Sequence, residues 1–420
     1  MKPKAAQVVT FVFAVVATAL ALVNSAQAAH KFRVLHHFLN KPAFSPGSAL
    51  VADAAGNLYG VAVSTTSGEA DTCGQYGCGG VVFKLTRESG GKWNYSIIHR
   101  FQGPDGSKPA GSLIFDSVGN LYGTTSDGGA HDYGTVFELS PSAGKWKERV
   151  LHSFAGYPND LDTPIGALTF DASGNLYGTA SNEGTSSPGG IFELKTSGNG
   201  WQETVLYSFT GGSDGSNPYT SKVVFDSAGN LYGTTLFGGA YGGGVVYELT
   251  PAGGSWTETV LHSFTGGADG GDAASGVIFD ATGNLYGTTV SGGIKNSCGG
   301  GGCGTVFELS QSMGNWTLSV LHYFNHSQNK YDGQWPYAPL VFDSAGSLYG
   351  ATAQGGYYGN GMVYRLSQSG GKWKRTTLHS FDNTDGQEPY AGLIIDQQGV
   401  LYGAAGGGGA GYGVLFSITP

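Results

Sequence analysis

The chain has 420 residues, of which 21 are basic and 30 acidic, giving a net charge of −9 with only 12% of residues charged. No Lys/Arg cluster interrupts it, so a nucleic-acid backbone is excluded as a partner. Its 74 glycines recur at fixed places beside Tyr, Phe, Leu and Trp, which marks a turn-rich all-β protein and not a linker.

The first 29 residues differ from all that follow. Lys2 and Lys4 precede an uncharged, largely apolar run from Val8 to Val23, and Ala26-Gln27-Ala28 fits the small-residue pattern of a cleavage site. Residues 1–28 are therefore expected to be a signal peptide and 29–420 a single domain, either fully secreted or periplasmic. An uncleaved membrane anchor is the alternative, but the run is short for a spanning helix. No stable anchor is expected after cleavage.

Beyond this leader one motif organises the sequence. Seven Leu-Tyr-Gly cores carry Tyr59, Tyr122, Tyr177, Tyr232, Tyr286, Tyr349 and Tyr402, separated by 63, 55, 55, 54, 63 and 53 residues. Self-similarity at such a period signals stacked supersecondary units. Each unit divides into four short apolar runs, which we denote strands a to d. In the second unit these are Leu113-Ile114-Phe115-Asp116, Leu121 to Thr125, Thr135 to Leu139, and Trp146 to Phe154. Gly119-Asn120 between a and b offers residues tolerant of positive φ, as a tight hairpin requires. A run of four-stranded units predicts a β-propeller of antiparallel blades.

The termini fix the blade number. Strand d is marked by a Trp eight residues before a Phe, from Trp93 and Phe101 to Trp373 and Phe381, in six copies. A seventh, His30 to Phe38, stands at the other end of the chain, while the last unit stops after the c strand Gly413 to Ile418. Pairing of the two termini would close a seven-bladed ring and leave no open edge between blades.

The consensus FDxxGNLYGTTxxGGxxxxGTVFEL resembles the GloVer, or Gloeo/Verruco, tandem repeat of secreted and surface-anchored bacterial proteins. The similarity covers nearly all of the sequence after the leader. It implies export and a repeat array, and it brings no catalytic residues that could be transferred here.

In such a meander the b–c and d–a loops share one face. That face also carries the longest and most variable loops, where function that depends on loop variation belongs. Cys73 with Cys78 and Cys298 with Cys303 lie in its two longest b–c loops and are expected to form two local disulfides. A zinc site shared by all four is the sharper alternative. Strand d repeats a histidine (His36, His99, His152, His262, His322 and His379, with Tyr207 in the remaining unit), which reads as packing or hydrogen bonding. Glu138, Glu193, Glu248 and Glu308 on strand c read as positional for the same reason, and no metal-ligand set is assigned. Asp-Gly pairs in the d–a loops, among them Asp105-Gly106 and Asp385-Gly386, read as turns. Calcium is the rival there, through Asp382, Asp385 and Glu388 or through Asp269 and Asp272, although neither set has an established calcium-loop spacing.

Residues that break the repeat on the loop face are the binding candidates: Tyr76, Tyr133, Phe237, Tyr241, Trp335, Tyr337, Tyr357, Tyr358 and Tyr412. Aromatic side chains among glycines suit stacking on sugar rings or gripping an extended peptide. The expected function is non-catalytic binding of a carbohydrate or an extracellular protein. The alternative is a secreted polysaccharide-degrading lyase or glycoside hydrolase using His131, Asp132 and Glu183 as acid/base groups.

Overall fold

A computed structural model describes residues 30–39, 44–64, 79–181, 188–198, 200–219, 222–294, 298–325 and 331–420. Seven antiparallel a–b–c–d sheets form a ring, the expected seven-bladed propeller. Two blades add a short strand to strand b, Phe44–Pro46 and Ser107–Pro109. No α-helix occurs among the described residues.

The second blade shows how the motif folds. Its strands are Ile114–Phe115, Leu121–Asp127, Thr135–Ser142 and Lys145–Ser153. Asp116 governs the a–b hairpin: Oδ1 accepts the N–H groups of Val118 and Asn120 at 3.0 and 2.8 Å, and Oδ2 accepts Asn120 Nδ2 at 2.8 Å. The Tyr122 hydroxyl lies 3.2 Å from the same Oδ2, so the aspartate clamps both its turn and the following strand. All seven hairpins repeat this Asp–Tyr contact. Only the glycine takes positive φ, 93° at Gly119. Asn120 serves through its side chain instead.

The glycine of Leu-Tyr-Gly has a packing role. A Cβ on Gly123 would stand 2.6 Å from the Phe137 ring, so only a bare backbone lets strand c lay that ring against strand b. Phe101 of the preceding blade then meets Phe137 edge-on at 5.0 Å. An equivalent aromatic pair occurs at every seam, with Tyr247 and Tyr364 in place of Phe at two, and includes Phe381–Phe416 and Phe38–Phe83 around the closing strand. Farther along the seam, Tyr59 receives Phe115 at 5.2 Å and Trp146 at 5.9 Å. The repeated Tyr and Trp are thus interblade core. Lys31–His37 pairs antiparallel with Val414–Thr419 and completes the last blade.

Strand d serves both of its neighbours. Trp146 and Glu148 face the first blade, and simple alternation would send His152 the same way. The c–d ladder instead pairs Val136 with His152 but Phe137 with Val150, which leaves Leu151 in a bulge. The extra residue inverts the alternation, and His152 turns toward the third blade. All seven c–d ladders shift register at this point.

Candidate functional site

Six of the short a strands, with Ile165 and Ala167 just before the third, line a central channel of about 1150 Å³. Its wall is mostly aliphatic, with Val51, Ile114, Val224, Ile278, Val341 and Ile394 at equivalent positions. At the loop face the lining changes character. Tyr219, Tyr337 and Tyr390 come from three d–a loops and Phe237 from the b–c loop of the fourth blade, with the Tyr337 and Tyr390 rings 5.4 Å apart and inclined at 63°.

Two charged residues, Lys222 and Asp272, belong to this lining. Lys222 lies just before the fourth a strand, Val224–Phe225, where the other blades carry Ala49, Ser112, Ala167, Gly276, Pro339 and Gly392. Its side chain is open to the channel yet surrounded by wall atoms, and this desolvation holds the ammonium below the usual lysine range. A scaffold role shared by the blades cannot account for a single lysine in a ring of small residues.

The d–a loops present their variable side chains from a constant backbone. Lys108, Thr163, Asn217, Asp272, Trp335 and Glu388 all adopt φ between 52° and 60°. Each donates its N–H to a carbonyl of the preceding b–c loop at 2.5 to 3.0 Å. The backbone tie recurs while the side chain changes, so these positions can vary in chemistry without loss of the fold.

The sequence candidates divide by place. Phe237 and Tyr337 reach the channel mouth, and Trp335 occupies the left-handed position two residues before Tyr337. Tyr357 and Tyr358 form a separate exposed cluster with Tyr331, which stacks on Tyr357 at 4.8 Å. Tyr241 is exposed on its loop, Tyr133 covers Gly156, and Tyr412 packs against a core cluster. His131 and Asp132 are exposed and do not line the channel; Asp132 Oδ1 accepts the Gly128 N–H at 3.0 Å as a loop clamp. Tyr76, Glu183, Cys73 and Cys78 lie outside the described residues. Cys298 and Cys303 form the expected disulfide, so these two cysteines are not zinc ligands. Lys222, Tyr219 and Tyr390 were not among the sequence candidates, and Asp272 was named there only as a calcium alternative; the departure of Lys222 from its small repeat position was the available signal.

The repeated polar residues hold the seams. Nε2 of His99, His152 and His262 lies 3.0 Å from Oδ2 of Asp105, Asp160 and Asp269, and His322 and His379 meet Asp332 and Asp385 likewise. Burial would raise Asp105 and Asp160, but the histidine and backbone N–H donors outweigh it and hold both carboxyls below the usual range. Asp269 and Asp385, two of the calcium candidates, are committed to these turn locks. On strand c, Glu248 and Glu308 lie 2.9 and 2.8 Å from the hydroxyls of Tyr232 and Tyr286, and Glu193 contacts Tyr177. Across each seam, the residue two after the strand-d Trp faces the preceding blade. Glu148, Glu203 and Glu258 stand there on three strands, and burial raises each to about 7, helped by the charge of the neighbouring loop aspartate.

Tandem blades closed by a terminal strand around an aromatic-mouthed channel define a seven-bladed repeat propeller. The chain belongs to the Gloeobacter/Verrucomicrobia repeat family, which it matches over residues 21–192, 164–330 and 297–420. No curated protein matches it. Among solved structures it is similar to the extracellular domain of a hybrid two-component system from B. thetaiotaomicron, with TM-score 0.56 and 11% identity over 92% of this chain and 39% of that one. This chain thus spans about two-fifths of that structure. A structure described as a 6-phosphogluconolactonase from Bacteroides uniformis gives TM-score 0.48 and 14% identity over 79% of this chain and 86% of that one. These likenesses concern the fold alone.

Proposed function

We propose that this chain is an exported, non-catalytic binding propeller that takes a carbohydrate at the loop-face mouth of its channel. The observation that carries the reading is the convergence of Tyr219, Phe237, Tyr337 and Tyr390 on one opening whose lining includes Lys222 and Asp272. Aromatic faces stack on the apolar faces of sugar rings, and a few polar groups then fix orientation. The lysine favours a saccharide bearing a carboxylate. The apolar leader with Ala26-Gln27-Ala28 supports export, as does the extracellular placing of the Bacteroides neighbour.

The test incubates the purified protein with neutral and acidic polysaccharides and measures both retention and released oligosaccharides. Retention without release is expected. Tyr337→Ala should weaken retention about tenfold, the loss of roughly one stacking contact of 1–1.5 kcal/mol. Lys222→Ala should abolish the preference for acidic chains. Release of oligosaccharides by the unaltered protein would replace this reading with an enzyme.

A further inference from the structure

The seam between the second and third blades gathers donors of a kind that holds metals. His152 sits behind the strand-d bulge, Asp160 comes from the following d–a loop, and Glu203 reaches across from the next blade. One ligand atom from each lies within 4.8 Å of the other two, the one such group among the described residues. His152 and Asp160 side chains retain 21% and 10% exposure, so the cluster is enclosed without being sealed from water. Glu203 Oε1, like its counterparts on Glu148 and Glu258, is a fully buried oxygen with no hydrogen-bond partner, but among the described residues only here do an imidazole and a second carboxylate converge with it. A native fold rarely leaves such an acceptor unsatisfied, and a bound ion is one of the accepted reasons for it.

Comparison with the other seams shows what is missing. Where the sixth blade faces the fifth, the equivalent of Glu203 is Arg375, whose Nε lies 3.1 Å from Asp332 Oδ1. That seam has its own fixed cation beside the His–Asp pair. At three other seams the position is filled by an apolar or aromatic group: Leu318 packs in the core, Phe32 stacks on His379 at 3.6 Å, and Tyr95 stacks on His36 at 4.2 Å. Glu148 and Glu258 hold it at the remaining two, near His99 with Asp105 and near Tyr207 with Asp214, but neither joins a group of three ligand atoms within 4.8 Å. Among the described residues, the Glu203 seam is the one that brings an imidazole and two carboxylates within 4.8 Å of one another.

We propose that His152, Asp160 and Glu203 form an interblade site for a divalent transition-metal ion of the zinc class. One imidazole nitrogen with two carboxylate oxygens suits a borderline cation better than calcium, which takes six to eight oxygens. Ligands at about 2.0–2.2 Å from a tetrahedral centre stand about 3.4 Å apart, so side-chain adjustments of about 1 Å bring this cluster into range. Water from the open side completes the coordination. The ion would tie two blades through residues 51 positions apart, since Glu203 follows His152 by that number in sequence.

Isothermal titration of the metal-stripped protein with zinc chloride at pH 7.5 tests the site. Saturable binding in the micromolar range is expected, with calcium chloride failing to compete. Glu203→Gln keeps the shape of the seam and removes the anionic ligand, and should weaken zinc binding at least tenfold. His152→Gln should do the same, whereas His262→Gln, at a seam with leucine in the glutamate position, should leave it unchanged. Should His152→Gln fail to fold, Glu203→Gln decides alone. Absence of saturable binding, or unaltered affinity in folded Glu203→Gln, would overturn the proposal.

Discussion

At the scale of single residues the repeat shows where its own rule is broken. Five blades carry Phe on strand c against the bare strand-b glycine, but the fourth and sixth carry Tyr247 and Tyr364. Both rings are fully buried, and both hydroxyls lack a hydrogen-bond partner. Burial drives their ionisation well above the usual tyrosine range, so each remains a neutral, unsatisfied O–H. Tyr247→Phe and Tyr364→Phe should each stabilise the protein by about 1 kcal/mol, read as a rise in unfolding midpoint. A fall would mean that the hydroxyl has a partner, such as a buried water.

At the scale of the element, strand d is the informative one. Its bulge lets one strand present Trp and the second-position residue to the blade before it and His to the blade after it. Glu258, at the seam with Tyr207 and Asp214, shows a consequence. Burial first, and the charge of Asp214 second, raise its carboxyl from the ordinary glutamate value of 4.5 to about 7. The folded state therefore binds more protons than the unfolded state between those values, and stability falls as pH rises from 4.5 to 7. Glu258→Gln should flatten that part of the stability–pH curve, matching the parent near pH 4.5 and exceeding it at pH 8. A parallel decline in both proteins would assign the slope to other groups. The bulge was not legible beforehand, because Leu151 and its equivalents break no pattern of residue types and the shift arises only when the ladder forms.

At the scale of the whole molecule, closure is the feature on which the rest depends. The terminal strand contributes Phe32, Val34 and Leu35 to the clusters on either side and Phe38 to the Phe38–Phe83 seam. At about 1.5 kcal/mol for each partly or fully buried side chain, its removal costs about 6 kcal/mol, comparable with the net stability of many proteins. It would also leave the Val414–Thr419 edge unpaired. Deletion of residues 30–38 should give a protein that aggregates or loses cooperative unfolding, and a synthetic peptide of those residues should restore the transition. Cooperative unfolding at the parent midpoint in the deleted protein would show that the ring holds without its closing strand.

Much of this architecture could be read before any coordinates. Seven Leu-Tyr-Gly cores, six Trp-to-Phe strands and a seventh displaced to the other terminus determine blade number and closure, because each blade repeats the same local hydrogen bonds and leaves the same apolar faces to be covered. The His–Asp locks and strand-c glutamates were legible as scaffold for the same reason. The candidate sites were legible only in part. Phe237 and Tyr337 announce themselves as loop aromatics, but Tyr219, Tyr390 and Lys222 meet them only because successive blades rotate around one axis. Glu203 likewise gains His152 and Asp160 as neighbours only when two blades close a seam and a bulge reverses the face of one strand. Sequence by itself determined the repeating scaffold, whose interactions lie within a unit or between identical units. Tertiary structure decided which unlike residues share a site, because those contacts join positions that no repeat relates.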